Sequence, residues 1–293
     1  MGVSKRSVFP IRDGLLKVAL EDVWSVKLHE KVIPDFIKTL KESIIEEKVV
    51  KDPVLVDEET LVILDGMHRV VALREMGCAY VPCCLINYRL PVVQLGAWYR
   101  IITGDAPISQ ILRLAKSSSE GLKTVEADSD SIYRQVGEGK TFSALRSSNS
   151  AWLITTQREF DCKEAYDTVY RIEEKLRAAN LRVSYQTESD AKTIVLSDKS
   201  ATCLIVPTLT KDDVLRVALR GEVFAPKATR HVFPFRLLGL NVSLDLLDGK
   251  KAGLVEANEK LQITLSSRKL VKLPGGQLVN GRRYEEPVYL FEN

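Results

Sequence analysis

The chain has 293 residues, 45% of them hydrophobic and 28% charged, which is the balance of a globular protein with room for one large domain or two smaller ones. It has no run of about 18 apolar residues that could form a membrane-spanning helix. The net charge of +3, without a Lys/Arg-rich block, disfavours a dedicated nucleic-acid binder. Because Met1–Arg12 also lacks the apolar stretch of a secretion signal, we expect a cytoplasmic protein with neither a membrane nor a nucleic acid as its partner.

The first third of the chain alternates strands and helices. The pattern predicts strands at Glu21–Leu28, Pro53–Val56, Leu61–Leu64 and Val81–Tyr88, and helices from Pro34 to about Glu47 and from Met67 to about Met76. Five cysteines occur in the chain, none of them in a CxxC spacing, so we expect small core residues rather than a zinc site or a disulfide framework.

Between the third strand and the second helix lies the turn Asp65-Gly66-Met67-His68-Arg69. The N–H groups at the start of a helix and its dipole favour an anion there, and a glycine lets the backbone approach a ligand closely. His68 and Arg69 add side-chain donors, so phosphate is the natural occupant. Asp65 could hold a magnesium ion together with the phosphates of a substrate.

Two further groups of polar residues are candidates for chemistry. Glu30 follows His29 at the end of the first predicted strand, where a carboxylate can act as a general base if the fold brings it to the phosphate turn. The segment Gly221–Phe235 contains Lys227, Thr229, Arg230 and His231 between two prolines, and these donors suit a carboxylate or a phosphate. Trp98-Tyr99 either walls a small-molecule pocket or belongs to the core.

The second part of the chain follows a serine-containing stretch, Lys116–Glu120, which we interpret as a linker or loop between two regions. Beyond it the pattern predicts strands near Lys123–Ala127, Thr141–Leu145, Ala151–Thr155, Leu181–Gln186 and Thr202–Val206, and helices from Cys162 to Ala179 and from a Thr210/Asp213 capping box to about Arg220. The stretch from Arg236 to Asn293 is predicted to be strand-rich.

These motifs carry a resemblance to known families. Asp52–Tyr88 resembles the ParB/sulfiredoxin-like fold, whose mark is a G-x-H-R turn that opens a helix. Together with His29-Glu30, Ser43, Trp98-Tyr99 and the Gly221–Phe235 segment, the chain resembles the archaeal free L-serine kinases. The resemblance implies a mixed α/β (α+β) fold in which a ParB/sulfiredoxin-like nucleotide-binding domain, residues 1–110, forms a cleft with a second α/β domain, residues 111–293, extended from about residue 237.

The resemblance also implies an activity: transfer of a phosphoryl group from ADP or ATP, with Mg²⁺, to the hydroxyl of free L-serine. The product, O-phospho-L-serine, is a precursor of cysteine in that family. Glu30 matches the family's catalytic base and Asp65 its acidic residue at the phosphate turn. The residues that match the phosphate turn are Gly66, Met67, His68 and Arg69, and those that match the substrate cleft are Ser43, Trp98, Lys227, Thr229, Arg230 and His231. The family often has a second histidine where Met67 stands, so only the backbone N–H of Met67 carries over.

Other functions remain open on the sequence. A ParB-like nucleotide-dependent DNA-binding or partition protein should carry a basic helix-turn-helix after the nucleotide domain, and none is evident after Cys162–Asn180. A sulfiredoxin-like enzyme needs a reactive cysteine beside the turn, but the nearest, Cys78, follows the helix. A serine-sensing regulator that keeps the site without turnover is a third alternative. The phosphate donor, the oligomeric state and the purpose of the C-terminal extension are open.

Overall fold

Two units, each with its own sheet, are built from interleaved segments of the chain. The first contains Met1–Gln94, Ala218–Glu222 and His231–Asn293, and the second contains Leu95–Val217 and Val223–Arg230. The computed structural model describes residues 9–11, 16–279 and 281–292. Most of Met1–Arg12, on which the expectation about a secretion signal rests, lies outside the described residues. The first segment of the first unit runs to Gln94, whereas the prediction placed the boundary at residue 110, and the C-terminal residues from His231 join this unit.

The first unit contains two sheets, two short strand pairs and four helices among the described residues. Its strands are β1 (Phe9–Ile11), β2 (Leu16–Asp22), β3 (Val49–Val50), β4 (Val54–Asp57), β5 (Ile63–Asp65), β6 (Tyr80–Ile86), β15 (Arg236–Leu238), β16 (Val242–Ser243), β17 (Leu270–Leu273), β18 (Leu278–Val279), β19 (Arg282–Arg283) and β20 (Val288–Phe291). Its helices are α1 (Pro34–Glu47), α2 (Met67–Glu75), α8 (Leu244–Leu247) and α9 (Leu254–Ser266). The larger sheet has the order β1-β2-β6-β4-β5, and only the β4–β6 pair is parallel.

Local sequence explains where the elements of this sheet begin and end. Helix α1 starts at Pro34, as predicted, and ends where Lys48 takes a left-handed φ of 57°. The predictions of α2, β4, β5 and β6 are confirmed to within two residues. The predicted strand Glu21–Leu28 is wrong, because β2 ends at Asp22. The Asp22 carboxylate accepts hydrogen bonds from the N–H groups of Trp24 and Ser25, which turns the chain out of the sheet.

The C-terminal segment completes the first unit. Asn258 on α9 accepts a hydrogen bond from the N–H of Leu20 (2.7 Å) and donates one to its carbonyl (3.0 Å), so it occupies the edge of β2 beyond the last residue paired with β1. β16 pairs with β3, and β15 and β17 pair with β20. The expectation of a purely strand-rich segment was therefore incomplete: α9 has 13 residues and buries Ala257, Leu261 and Leu265 at helical spacing.

The second unit contains a six-stranded antiparallel sheet with helices along the chain between its strands. Its elements are β8 (Tyr99–Thr103), α3 (Ile108–Lys116), β9 (Lys123–Ala127), α4 (Ser131–Gly137), β10 (Ser143–Arg146), β11 (Ala151–Thr155), α5 (Cys162–Ala178), β12 (Arg182–Gln186), α6 (Glu188–Ser197) and β13 (Thr202–Ile205). The order is β12-β8-β13-β10-β11-β9. The remaining elements, in which the chain passes between the units, are β7 (Gln94–Gly96), α7 (Lys211–Leu219) and β14 (Arg230–Val232).

Most predicted elements of this unit are confirmed. α5, the hairpin β10–β11 and the Thr210/Asp213 capping box at α7 are present, and the box makes reciprocal hydrogen bonds of 2.9 and 3.1 Å. The stretch Lys116–Glu120 is not a linker between the units: it ends α3 inside the second unit. Four of the five cysteines are buried, as predicted, and Cys162 at the start of α5 is half-buried. No helix in the described part of the chain combines the length and apolar character needed to cross a bilayer.

Candidate active site

The phosphate turn lies where β5 ends and α2 begins. Gly66, the residue before the first helical turn, has a φ of 96°, a conformation that side chains rarely adopt. A Cβ at this position would lie 2.8 Å from Cγ1 of Val54 on the neighbouring strand β4. Glycine is therefore required twice, for the backbone angle and for the space. The result is a tight entry into α2 directly after β5, where the first N–H groups of the helix and its dipole favour an anion.

Asp65 and Arg69 are engaged in the structure of this turn. Nη1 of Arg69 donates to the carbonyl of Asp52 (2.9 Å) and also to that of Pro53, which fastens the helix to the chain entering β4. Nη2 of Arg69 lies 3.8 Å from Oδ2 of Asp65. The same Oδ2 accepts a 2.7 Å hydrogen bond from Nη1 of Arg236. Withdrawal from water alone would raise the pKa of Asp65, but the charges of Arg236, Arg69 and, more weakly, Arg282 lower it below its ordinary value.

Glu30 and His29 form a buried pair in the first unit. Nδ1 of His29 lies 2.6 Å from the carbonyl of Ile63, and because a carbonyl only accepts, Nδ1 carries the proton. Burial lowers the pKa of His29, although the Glu30 carboxylate opposes this shift, so the ring is neutral at pH 7. Its unprotonated Nε2 lies 3.8 Å from Oε1 of Glu30, whose side chain is 9% exposed. The two groups are therefore neighbours, but they lie too far apart for a direct hydrogen bond.

His231 lies beside this pair. Its ring contacts that of His29 edge-on at 5.4 Å, and its Nε2 lies 2.8 Å from the hydroxyl of Tyr88. Burial, assisted by the charge of Asp57, raises the pKa of Tyr88, so the phenol keeps its proton. His231 thus presents Nδ1 away from Tyr88. The fold brings His231 next to His29 and Glu30, although 201 residues separate Glu30 from His231 in the sequence.

His68 has a partner in the residue just before α1, and Ser43 has one on α1 itself. The N–H of Ile33, just before α1, donates a 3.0 Å hydrogen bond to Nε2 of His68, which holds the proton of a neutral His68 ring on Nδ1. His68 therefore ties the start of α1 to the start of α2. The hydroxyl of Ser43 donates to Glu47 one helical turn away (3.1 Å) and lies on a part-exposed face of α1. The part predicted for Ser43 in substrate binding stays a prediction.

The remaining predicted residues form a cationic cluster in the second unit. Nζ of Lys227 and Cζ of Arg230 lie 5.6 and 5.7 Å from the centre of the Trp98 ring. Lys227 has a left-handed φ of 62°, a strained conformation that is typical of functional loops, and Thr229 beside it is buried. The carbonyl of Trp98 accepts a hydrogen bond from Arg100, whose buried guanidinium also donates to Glu173 (2.6 Å). Arg100 thus links the backbone at Trp98 to Glu173 on α5.

Three residues that the sequence prediction missed lie at these sites. Tyr88 orients His231, Arg236 contacts Asp65, and Nε of Arg236 donates a 2.6 Å hydrogen bond to Glu286. Tyr88 was assigned only to a strand, and Arg236 directly follows the Gly221–Phe235 segment, so a wider reading of that motif would have included it. No local pattern marks Glu286, which lies 50 residues further along the chain.

The side chains at the phosphate turn do not have the composition of a metal site. Among the residues that the structure describes, no group of three or more His, Cys, Asp or Glu side chains has the arrangement of a metal site. Asp65, the predicted magnesium ligand, has a guanidinium on Oδ2 and two more cationic side chains in its surroundings. This set of donors suits an anion, and it does not fit a divalent cation bound by the protein alone.

Comparisons with known proteins agree with the motifs. No family model matches the chain. It is 27% identical over 255 residues to an ATP-dependent L-serine kinase of Staphylothermus marinus, covering 83% of this chain and 95% of the relative. It is 23% identical over 256 residues to an ADP-dependent L-serine kinase of Thermococcus kodakarensis, covering 84% and 100%. A ParB-like protein of Sulfolobus acidocaldarius is 27% identical over 207 residues, covering 71% and 86%.

The fold is shared with solved structures. A free serine kinase in complex with AMP superimposes with a TM-score of 0.67 at 23% identity, covering 78% of this chain and 93% of the other. SbnI from Staphylococcus aureus, truncated at its C-terminus, gives a TM-score of 0.67 at 18% identity, covering 85% and 95%. The chain resembles the archaeal L-serine kinases in sequence and in fold. The resemblance drawn from the motifs and the predicted mixed α/β fold are therefore confirmed.

Proposed function

We propose that this chain is a kinase that transfers a phosphoryl group from ATP or ADP to the hydroxyl of free L-serine and releases O-phospho-L-serine. Two L-serine kinases match it over at least 95% of their own length, so both units take part in the similarity. The observation that carries the proposal is the buried Glu30 beside the unprotonated Nε2 of His29, because it provides a carboxylate that can accept a proton. We expect the reaction in the cytoplasm, where nucleotides and free serine are available.

Phosphoryl transfer needs positioning and charge neutralisation more than covalent help from the protein. We assign the nucleotide phosphates to the first turn of α2, where Gly66 allows close approach and Met67 offers its backbone N–H. Arg69 adds positive charge and His68 a ring donor. Magnesium, when bound with the nucleotide, supplies further charge neutralisation on the phosphates.

We assign to Glu30 the role of general base, which orients the serine hydroxyl and takes its proton as the new P–O bond forms. Beside Glu30, the neutral ring of His29 is held in place by the hydrogen bond from its Nδ1–H to the carbonyl of Ile63. In the second unit, Lys227 and Arg230 beside Trp98 suit the carboxylate of an amino acid or a phosphate.

The test is phosphorus NMR of the purified protein with L-serine, Mg²⁺ and, in separate tubes, ADP and ATP. We expect a phosphoserine resonance in at least one tube, and the productive tube identifies the donor. A folded protein that forms no phosphoserine from either nucleotide contradicts the proposal. Glycerate and L-threonine in place of L-serine test whether the hydroxyl substrate is an amino acid and whether a methyl group at the reacting carbon is accepted.

A ParB-like nucleotide-dependent DNA-binding or regulatory protein is the second candidate, favoured by the similarity to the Sulfolobus acidocaldarius protein. The structure gives it little support, because the long helix α5 is followed by the strand β12 and not by a second helix. A gel shift with random duplex DNA at low salt, with and without nucleotide, distinguishes the two. Retarded DNA without phosphoserine formation would favour this candidate.

A further inference from the structure

Arg236 connects the C-terminal segment to the phosphate turn. Arg236, the first residue of β15, donates from Nη1 to Oδ2 of Asp65 at 2.7 Å and from Nε to Oε1 of Glu286 at 2.6 Å. The three residues are far apart in sequence, and their side chains are 12% (Arg236), 37% (Asp65) and 20% (Glu286) exposed. The guanidinium also lies over the ring of Phe233, 4.9 Å from its centre. Two hydrogen bonds in its plane and an aromatic ring against its face fix the orientation of the Arg236 guanidinium.

The orientation leaves one end of the guanidinium available. Arginine has five N–H donors, and the contacts to Asp65 and Glu286 use one on Nη1 and the one on Nε. Nη2 of Arg236 has no hydrogen-bond partner among the residues that the structure describes. Asp65 immediately precedes Gly66, so the guanidinium is held at the entry to α2, where the helix dipole already favours an anion.

The charges at this point favour a multiply charged anion. Asp65 and Glu286 carry two negative charges, whereas Arg69, Arg236 and the more distant Arg282 carry three positive ones. Arg236 keeps its charge despite burial, because both carboxylates raise its pKa. A magnesium ion on Oδ2 of Asp65 would have to displace Arg236 and remain beside the other cations, whereas a phosphate group complements all of them.

We propose that Asp65, Arg236 and Glu286 form one unit that presents the Arg236 guanidinium to the phosphates of the bound nucleotide. Arg236 contacts the phosphate, and Asp65 and Glu286 are positioning residues that hold it. Asp65 is then an anchor for an arginine and not a ligand of magnesium. This inference rests on the proposed function for the identity of the anion, and it gives the C-terminal segment a part in nucleotide binding.

The experiment is a double-mutant cycle in which ADP and ATP binding is measured by calorimetry without serine. Arg236→Gln is expected to weaken nucleotide binding about 10- to 100-fold, the value of charge-assisted hydrogen bonds to a phosphate. Asp65→Asn and Glu286→Gln are expected to weaken it less, and Asp65→Asn should add nothing once Arg236→Gln is present, because the two act as a unit. The Mg²⁺ concentration that gives half-maximal nucleotide binding should be the same in Asp65→Asn and in the parent protein.

Arg268→Gln is the matched control. Arg268 also belongs to the C-terminal segment, donates to the carbonyls of Gly239 and Leu240 at 2.8 Å and lies over an aromatic ring, Phe291. Its loss should lower stability without changing nucleotide affinity in the folded protein. If Arg236→Gln does not fold, Arg236→Lys is the alternative, because lysine keeps the charge but cannot contact Asp65 and Glu286 at the same time through a planar group. A loss of nucleotide affinity in Arg236→Lys would then support the inference.

Three results would overturn the inference: additive effects of Asp65→Asn and Arg236→Gln, a raised Mg²⁺ requirement in Asp65→Asn alone, or equal loss of affinity in Arg236→Gln and Arg268→Gln. Absence of nucleotide binding by the parent protein would overturn both this inference and the proposed function. Nucleotide binding that depends on Arg236, without any phosphoserine formation, would support the inference and contradict the kinase.

Discussion

Replacing Gly66 by alanine tests the geometry of the phosphate turn. The left-handed backbone, with φ of 96°, costs an alanine about 1–2 kcal/mol. The new Cβ would lie 2.8 Å from Cγ1 of Val54, a fully buried side chain on β4, and such overpacking costs about 1–3 kcal/mol more. The free energy of unfolding of the first unit should therefore fall by about 2–5 kcal/mol in total.

Gly77, just beyond the other end of α2, supplies the control. It has a φ of 73°, but a Cβ there would have no neighbour within 4 Å, so Gly77→Ala carries only the backbone cost of about 1–2 kcal/mol. Urea unfolding followed by far-UV circular dichroism measures both variants, and calorimetry measures their ADP affinity. We expect the Gly66 variant alone to lose nucleotide affinity. Equal losses of stability in the two variants would show that the contact with Val54 does not constrain the turn.

Glu30, His29 and Asn258 each allow a quantitative test. Glu30→Gln should lower kcat about 10²- to 10⁴-fold while the nucleotide Kd stays unchanged, and a parallel loss of both would indicate a structural role. Burial lowers the pKa of His29 in the folded protein, so the unfolded chain takes up a proton at a higher pH than the folded protein does, and stability should fall as the pH decreases below about 6.5, the ordinary pKa of histidine. Urea midpoints for His29→Gln should depend less on pH, and an unchanged slope would contradict the burial argument. Asn258→Ala removes the two hydrogen bonds that the side chain makes with the buried N–H and carbonyl of Leu20. The free energy of unfolding should fall by about 1–3 kcal/mol for each of these groups that stays unsatisfied. A loss below about 0.5 kcal/mol would show that water replaces the amide.

The sequence predicted elements well where the chemistry is local. Pro34 and Gly66 mark the starts of α1 and α2, and the Thr210/Asp213 pair marks α7, because caps depend on residues three or four positions apart. Helix α9 was missed because its stripe of buried residues includes Asn258, whose polar side chain interrupts the apolar repeat. The reason for that asparagine is the open edge of β2, which lies 238 residues away in sequence and leaves no trace in the local pattern.

The division of the chain into two units likewise depends on contacts between residues that are distant in sequence. A serine-containing stretch at Lys116–Glu120 has the composition of a linker, but it ends α3 within the second unit. Among the site residues, the turn at Asp65–Arg69 could be identified because strand, glycine and helix follow one another directly. The partnership of Asp65 with Arg236 could not, because 171 residues separate the two and only the fold brings the charges together.

The interleaving of the two units has a consequence for the order in which a growing polypeptide can fold. Residues 95–217 and 223–230 are all synthesised before the last 63 residues, His231–Asn293, which the first unit needs for its completion. During translation, the second unit can already fold while the edge of β2 still lacks Asn258 and the edge of β3 still lacks β16. The first unit, which begins before the second unit in the chain, is thus completed after it, and until then its unpaired strand edges can pair with other chains and aggregate.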